Sequence, residues 1–295
     1  MFKNVLLFTL ILIAFLTGCA KTPSSSKSTV FVSILPQKYF IERITDGAVD
    51  IEVMVKPGSS PAFYEPLPQQ MSKLAKADAF YVIGVPFEQA WLKDINKNFP
   101  HLLVVDVGNG IPMRETDKPI EFMENVHHEK HEHGRYDPHI WLDPVYAQKI
   151  CANTYISLIK LYPQHTEIFR GNYDKLISDL QGLSEELDKK LSEEVDRKLL
   201  VFHPSWGYFA DRYGYQQIPI EVDNKNPTAK ETARIVDYAL NNKIKYIFIN
   251  EQVDTSQVEK IAEEVGARVV SIDPLAENYI ENLRKVGDAI FNSKY

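Results

Sequence analysis

From Thr29 onward, short runs of β-branched and aromatic residues alternate with stretches whose apolar positions recur every three or four residues. The runs at Thr29–Leu35, Val49–Val55, Ala79–Ile83 and Leu102–Asp106 predict four strands in the first half. Lys198–Phe202, Gln216–Glu221, Lys245–Ile249 and Arg268–Ile272 predict four more in the second. Amphipathic helical patterns separate most of them, which is the signature of βα units and a mostly parallel sheet. The expected fold is therefore α/β with two lobes, each a mostly parallel sheet flanked by helices. Between the halves the pattern changes. Across His165–Glu194, Tyr173, Leu176, Leu180, Leu183, Leu187 and Leu191 repeat at helical spacing. Gly171 and Gly182 cost this helix roughly 1 kcal/mol each without breaking it. Thirty residues reach roughly 45 Å, longer than a small lobe, so one long rigid helix is expected to run along both lobes. A dimerising coiled-coil arm is the alternative, but its heptad drifts. The resulting division is an N-terminal lobe over 29–162, a linking helix over 163–195 and a C-terminal lobe over 196–295, in a chain expected to be a monomer.

The N-terminus places the protein in the cell. Lys3 precedes an apolar run, Val5 to Leu16, that is short for a bilayer span, and the run ends in Leu16-Thr17-Gly18-Cys19. This ending resembles a bacterial lipobox. Residues 1–18 are then a lipoprotein signal peptide, Cys19 is the lipidated first residue, and 19–28 is a flexible tether. An uncleaved anchor helix with an incidental cysteine is the alternative. Either way the body faces the periplasm or cell exterior from the cell membrane. The formal charge of -7 argues against nucleic acid as a partner and favours cations only weakly. Cys151 is the sole other cysteine, and its helical setting reads as a buried inert thiol.

Chemistry concentrates in one stretch. Five of the eight histidines lie in His127-His128-Glu129-Lys130-His131-Glu132-His133 and the following Asp137-Pro138-His139. Neutral imidazole is the commonest protein ligand for zinc and suits other transition metals. A solvated polar tract is the plain alternative, and residues 121–136 are in any case expected to form a surface loop. Beyond this stretch, His203 follows one predicted strand and Asp273 another, where ligands gather in open α/β sheets. Two imidazoles, His139 and His203, with the Asp273 carboxylate would suit a divalent transition metal. Each has a structural rival. Asp143 and Asp273 both precede proline and can be helix caps; for Asp143 the cap is preferred, for Asp273 the two roles balance. His203 alone would more often be a satisfied core residue. An enzyme using a metal-bound water is disfavoured, since no general base accompanies these motifs.

The whole mature chain resembles the metal-binding receptors of ATP-driven zinc and manganese importers. The resemblance rests on Asp137-Pro138-His139-Ile140-Trp141-Leu142-Asp143-Pro144, Phe202-His203-Pro204, Tyr213-Gly214, Ile272-Asp273-Pro274-Leu275, and Tyr64-Glu65-Pro66 after Lys56-Pro57-Gly58. It implies two α/β lobes joined by a rigid helix, Zn2+ held by His139, His203 and Asp273, and delivery to an ABC permease. The histidine loop points to the zinc branch, because manganese receptors usually lack it and often carry a carboxylate where His203 stands. Mn2+ or Fe2+ is the alternative cargo. The pattern fails at one position: the family's first-lobe histidine is Ala62 here. Water, Glu65, or one of His127, His128, His131 and His133 can take that place. A metal-free adhesion or scaffold lipoprotein is the remaining alternative.

Overall fold

The structure, a computed structural model, describes residues 28–117, 136–192, 197–221, 225–250 and 256–293. The signal segment, Cys19, nearly all of the tether, and His127, His128, His131 and His133 lie outside the described residues.

In the first lobe, β1 (Thr29–Val32), β2 (Asp50–Val53), β3 (Ala79–Val82) and β4 (Leu103–Asp106) form one parallel sheet in the order β2-β1-β3-β4. Helices α1 (Leu35–Thr45), α2 (Pro68–Leu74) and α3 (Pro86–Asn98) alternate with the strands. Then come α4 (Pro144–Leu161) and the long α5 (Thr166–Leu191). The second lobe repeats the plan with β5 (Lys198–Val201), β6 (Gln216–Pro219), β7 (Tyr246–Ile249) and β8 (Arg268–Ser271), ordered β6-β5-β7-β8 and again parallel. Its helices are α6 (Gly207–Tyr213), α7 (Ala229–Asn241), α8 (Ser256–Val265) and α9 (Tyr279–Asn292).

Each predicted strand is present, and each is shorter than the apolar run that announced it. β1 shows why: the Gln37 side chain accepts from the backbone N–H groups of Ser33 and Ile34 at 3.0 and 3.1 Å, turning the chain into α1 before the run ends. The order of each sheet makes it switch direction between β1 and β3, and between β5 and β7. Ligand crevices form at such points, beyond the carboxyl ends of the strands.

The linking helix runs for 26 residues, about 39 Å, after a 3-10 turn at Pro163–His165. Phe169, Leu176, Leu180, Leu183, Leu187 and Leu191 form its fully buried stripe. It packs against α1 of the first lobe, α9 of the second, and α4 beside it. The approach to α9 is close: a Cβ on Gly287 would lie 2.4 Å from Leu187 Cδ2. One apolar cluster runs from Phe31 and Phe80 through Leu176 and Leu183 to Phe209 and Tyr279, so both lobes and the helix share a core. Opening the lobes widely would expose that surface to water, which the hydrophobic effect opposes. A second cluster, including Leu200, Ile218, Ile235 and Val258, fills the space between the second sheet and α7 and α8.

Cys151 is a free thiol buried in α4, and burial pushes its pKa up, so it is inert as expected. Among the described residues no helix is long and apolar enough to cross a membrane.

Candidate metal centre

His203 leaves the carboxyl end of β5, and pairing sets its neighbour. Val201 lies opposite Pro219 in the parallel register. The alignment continues past both strands, with Ile220 N donating to Val201 O (2.9 Å) and Glu221 N to Phe202 O (3.1 Å). His203 and Glu221 therefore emerge side by side, and the His203 Nδ1 hydrogen-bonds to Glu221 Oε1.

His139 comes from the segment that leads into α4. Asp143 caps that helix, accepting from Val145 N at 2.8 Å, as its sequence setting predicts. The same carboxylate receives Arg212 of α6 at 2.7 to 3.0 Å, tying the helix start to the second lobe. Asp137 is buried, and its Oδ1 accepts from both the backbone N–H (2.9 Å) and the Nδ1 (2.8 Å) of His139. Its Oδ2 faces Arg114 Nη1 at 3.4 Å, and Arg114 also donates to Asp211 at 2.7 Å and Asp117 at 2.6 Å. Gly207 makes this possible. A Cβ there would lie 2.3 Å from Arg114 Nη1 and 2.5 Å from Asp137 Oδ2.

The two imidazoles meet across the lobes, ring centres 5.5 Å apart and planes at 80°. With zinc–nitrogen bonds of about 2 Å and tetrahedral angles, two rings on one ion have centres about 5 Å apart. The observed spacing fits that geometry. A carboxylate can only accept, so the Nδ1 of each ring carries a proton, which leaves Nε2 as the lone-pair donor of a neutral ring. Burial holds the His139 pKa below the ordinary histidine range, against the pull of Asp137, which keeps the ring neutral and able to ligate.

Asp273 sits just past β8 on the rim of a cleft shared by the lobes, with Leu275 beside it and Ile34, Leu35, Val55, Lys56, Pro57 and Gly58 opposite. No helix starts at Pro274; α9 begins at Tyr279, so Asp273 is not a helix cap. Its Oδ1 instead accepts from Leu275 N at 2.8 Å in a local turn. Trp141 ties this turn to the His139 segment. Its indole N–H donates to Pro274 O (2.7 Å), its own carbonyl accepts from Tyr279 Oη (2.6 Å), and its ring lies 5.2 Å from that of His139. Among the described residues no three His, Cys, Asp or Glu side chains form a ready metal cage. The histidine pair is assembled, and Asp273 stands outside it.

Ala62 lies on the loop that continues from the cleft wall at Gly58. Pro61 O accepts from Phe87 N at 3.2 Å, and Tyr64 packs edge-on against Phe87 at 5.8 Å. The α3 start that carries Phe87 is itself braced by buried Glu88, which accepts from Ile83 N (3.0 Å) and Gly84 N (2.7 Å); burial pushes its pKa up to about 7. Glu65 is exposed.

Sequence reasoning missed Asp137, Glu221, Arg114 and the tie through Trp141. Asp137 was within reach, since a carboxylate two residues before a histidine can bond to its ring. Glu221 carried no local signal, because only strand register brings it to His203.

Comparison with known proteins bears on the family and the fold. The family described as zinc-uptake complex component A, periplasmic (ZnuA) matches residues 30–293. Zinc-binding protein AdcA of Streptococcus pyogenes is 29% identical over 306 residues, covering 98% of this chain and 59% of that protein. The chain thus spans about three-fifths of the length of that curated relative. A crystal structure of ZnuA shares 35% identity and superposes with a TM-score of 0.82, over 91% of this chain and 99% of that one. A zinc-bound ZnuA deletion mutant shares 34% identity at a TM-score of 0.81, over 90% and 97% of the two chains.

Proposed function

The chain belongs to the family of the periplasmic zinc-uptake component ZnuA, and from that membership we propose that it is an extracytoplasmic receptor for a divalent transition metal, zinc, which it delivers to the permease of an ABC importer. In this reading Cys19 carries the lipid that holds it at the cell membrane, and the protein is a monomer that catalyses no reaction. One observation carries the reading: imidazoles from two different lobes, His139 and His203, meet at the separation a shared ion requires. Asp273 is the third ligand in this reading, which requires its carboxylate to move toward the pair from its place on the cleft rim. Two neutral imidazoles and one carboxylate favour zinc over manganese, which prefers oxygen donors. The shared apolar core keeps release to small shifts of loops rather than a wide hinge.

The first test is competition between the metal-free protein and a zinc chelator, repeated with Mn2+ and Fe2+. We expect one tightly held zinc ion and weaker binding of the other two. No binding of any of them at micromolar concentration would turn the reading toward a metal-free adhesion protein.

Ala62 makes the same assay sharper. With water in the fourth position, Ala62→His supplies an imidazole there, so zinc should bind more tightly and dissociate more slowly. Ala62 N already donates to Ser60 Oγ at 3.2 Å, a bond that histidine keeps. An unchanged affinity, with sharp weakening in Glu65→Gln, would make Glu65 the fourth ligand instead. His127, His128, His131 and His133 serve in this reading as accessory captors of further ions. Deleting residues 126–134 should lower the number of zinc ions bound while leaving the melting temperature unchanged. Unfolding on deletion would end the capture role.

A further inference from the structure

Each imidazole of the candidate site has a carboxylate behind it, and the two carboxylates are held very differently. Asp137 is fixed from three directions: it is buried, it accepts twice from His139, and Arg114 grips its other oxygen. That grip extends to Asp211 of α6, so Asp137 belongs to a network crossing the lobes. Among the described residues Glu221 has no such brace. It lies two residues past β6, and its side chain retains a tenth of its possible exposure where Asp137 retains none. Its place beside His203 comes from the β5–β6 register.

We propose that Glu221 is the positioning residue of the metal site: by accepting the Nδ1–H of His203 it holds that ring in the tautomer and orientation that turn Nε2 toward His139. The inference rests on the zinc-receptor reading and deepens it by naming what readies the second-lobe ligand. A histidine that offers Nε2 to a metal must carry its proton on Nδ1, and in water the neutral ring otherwise divides between two tautomers and rotates about χ2. His203 keeps about a quarter of its side chain exposed, so packing alone does not fix it. The carboxylate removes both freedoms before the ion arrives. A site that lacks a first-lobe histidine at position 62 depends on such preparation more than a four-ligand site does, because fewer bonds share the cost of ordering the rings. Outer partners of this kind typically alter metal affinity by about 10–100-fold.

The role separates from a merely structural one by comparing two substitutions. Glu221→Gln keeps an oxygen that accepts from Nδ1–H; Glu221→Ala keeps none. In chelator competition, E221A should bind zinc about 10–100-fold more weakly, while E221Q stays within a factor of about three of the unaltered protein. Long-range proton–nitrogen NMR of the metal-free protein at pH 8 should show His203 protonated at Nδ1 in the unaltered protein and in E221Q. In E221A it should show a tautomer mixture, with an unchanged melting temperature. Equal affinity in E221A and the unaltered protein overturns the proposal, as does equal loss in E221Q and E221A. A fall in melting temperature that tracks the affinity loss overturns it too, by making Glu221 a fold residue. His203→Ala is the control that keeps the two readings apart. If H203A loses zinc while E221A does not, only the positioning role fails. If H203A binds zinc normally, the site reading fails and this inference with it.

Discussion

His203→Ala is expected to weaken zinc binding by more than roughly 100-fold, because outer partners alone cost 10–100-fold and His203 is a direct ligand in the proposed site. The site starts with three protein donors, so this loss leaves one imidazole and one carboxylate, too few to hold the ion against water. Stability should change less than affinity. His203 is partly exposed, and the Glu221 it leaves behind is buried but keeps a tenth of its side-chain exposure, where Asp137 keeps none. His139→Ala should reduce affinity as much, with a larger structural cost. Asp137 is fully buried, and the imidazole is one of its two ring or guanidinium partners. Removing a partner from a buried charge leaves desolvation uncompensated, which costs a few kcal/mol. H203A is therefore the cleaner probe. Titration calorimetry with zinc, beside thermal melts of the metal-free proteins, measures both effects. Unchanged affinity in both variants would falsify the assignment of the site.

Trp141→Ala is expected to be the most destabilising single change around the site, at about 3–5 kcal/mol for emptying a large buried aromatic position. Trp141 is fully buried at the junction of the lobes. Its indole also satisfies the Pro274 carbonyl, and Pro274 is itself buried, so the loss orphans an acceptor in the interior. Trp141→Phe separates the two contributions. Phenylalanine keeps much of the packing and loses the hydrogen bond, which by itself costs about 1–3 kcal/mol. The two variants should also differ from other core changes in what they do to the metal. The bond to Pro274 holds the turn that carries Asp273, so W141F should weaken zinc binding by more than its stability loss explains. Urea unfolding gives the stability terms, and chelator competition gives the affinity. Normal zinc affinity in W141F would show that the Asp273 turn holds itself.

The wide reach of Trp141 illustrates what a linear reading can and cannot contain. Strand positions were legible because β-branched runs bounded by turn residues have few other uses. The linking helix was legible because Leu176, Leu180, Leu183, Leu187 and Leu191 bury one continuous stripe, and a stripe that long needs partners along its whole length. The Asp143 cap was legible from Asp-Pro alone, since capping is a local bond within three residues. Asp273 stood in the same Asp-Pro setting and does not cap, because the chain after Pro274 is drawn into a turn by Trp141 and Asn282 from other elements. Its fate was tertiary.

Local pattern, then, determined the α/β class, the two lobes, the strut between them and the histidines and carboxylates available for a metal. Tertiary structure decided which of those groups meet. His139 and His203 are 64 positions apart and face each other only because the lobes share one core around the linking helix. Glu221 reaches His203 only through parallel strand register, and Asp137 is committed to His139 by an arginine that bridges to the second lobe. The physical reason is one of range. Helix and strand periodicities and caps are set by neighbours within a turn or two of chain, whereas a metal site depends on angles and distances between groups that share no local pattern at all.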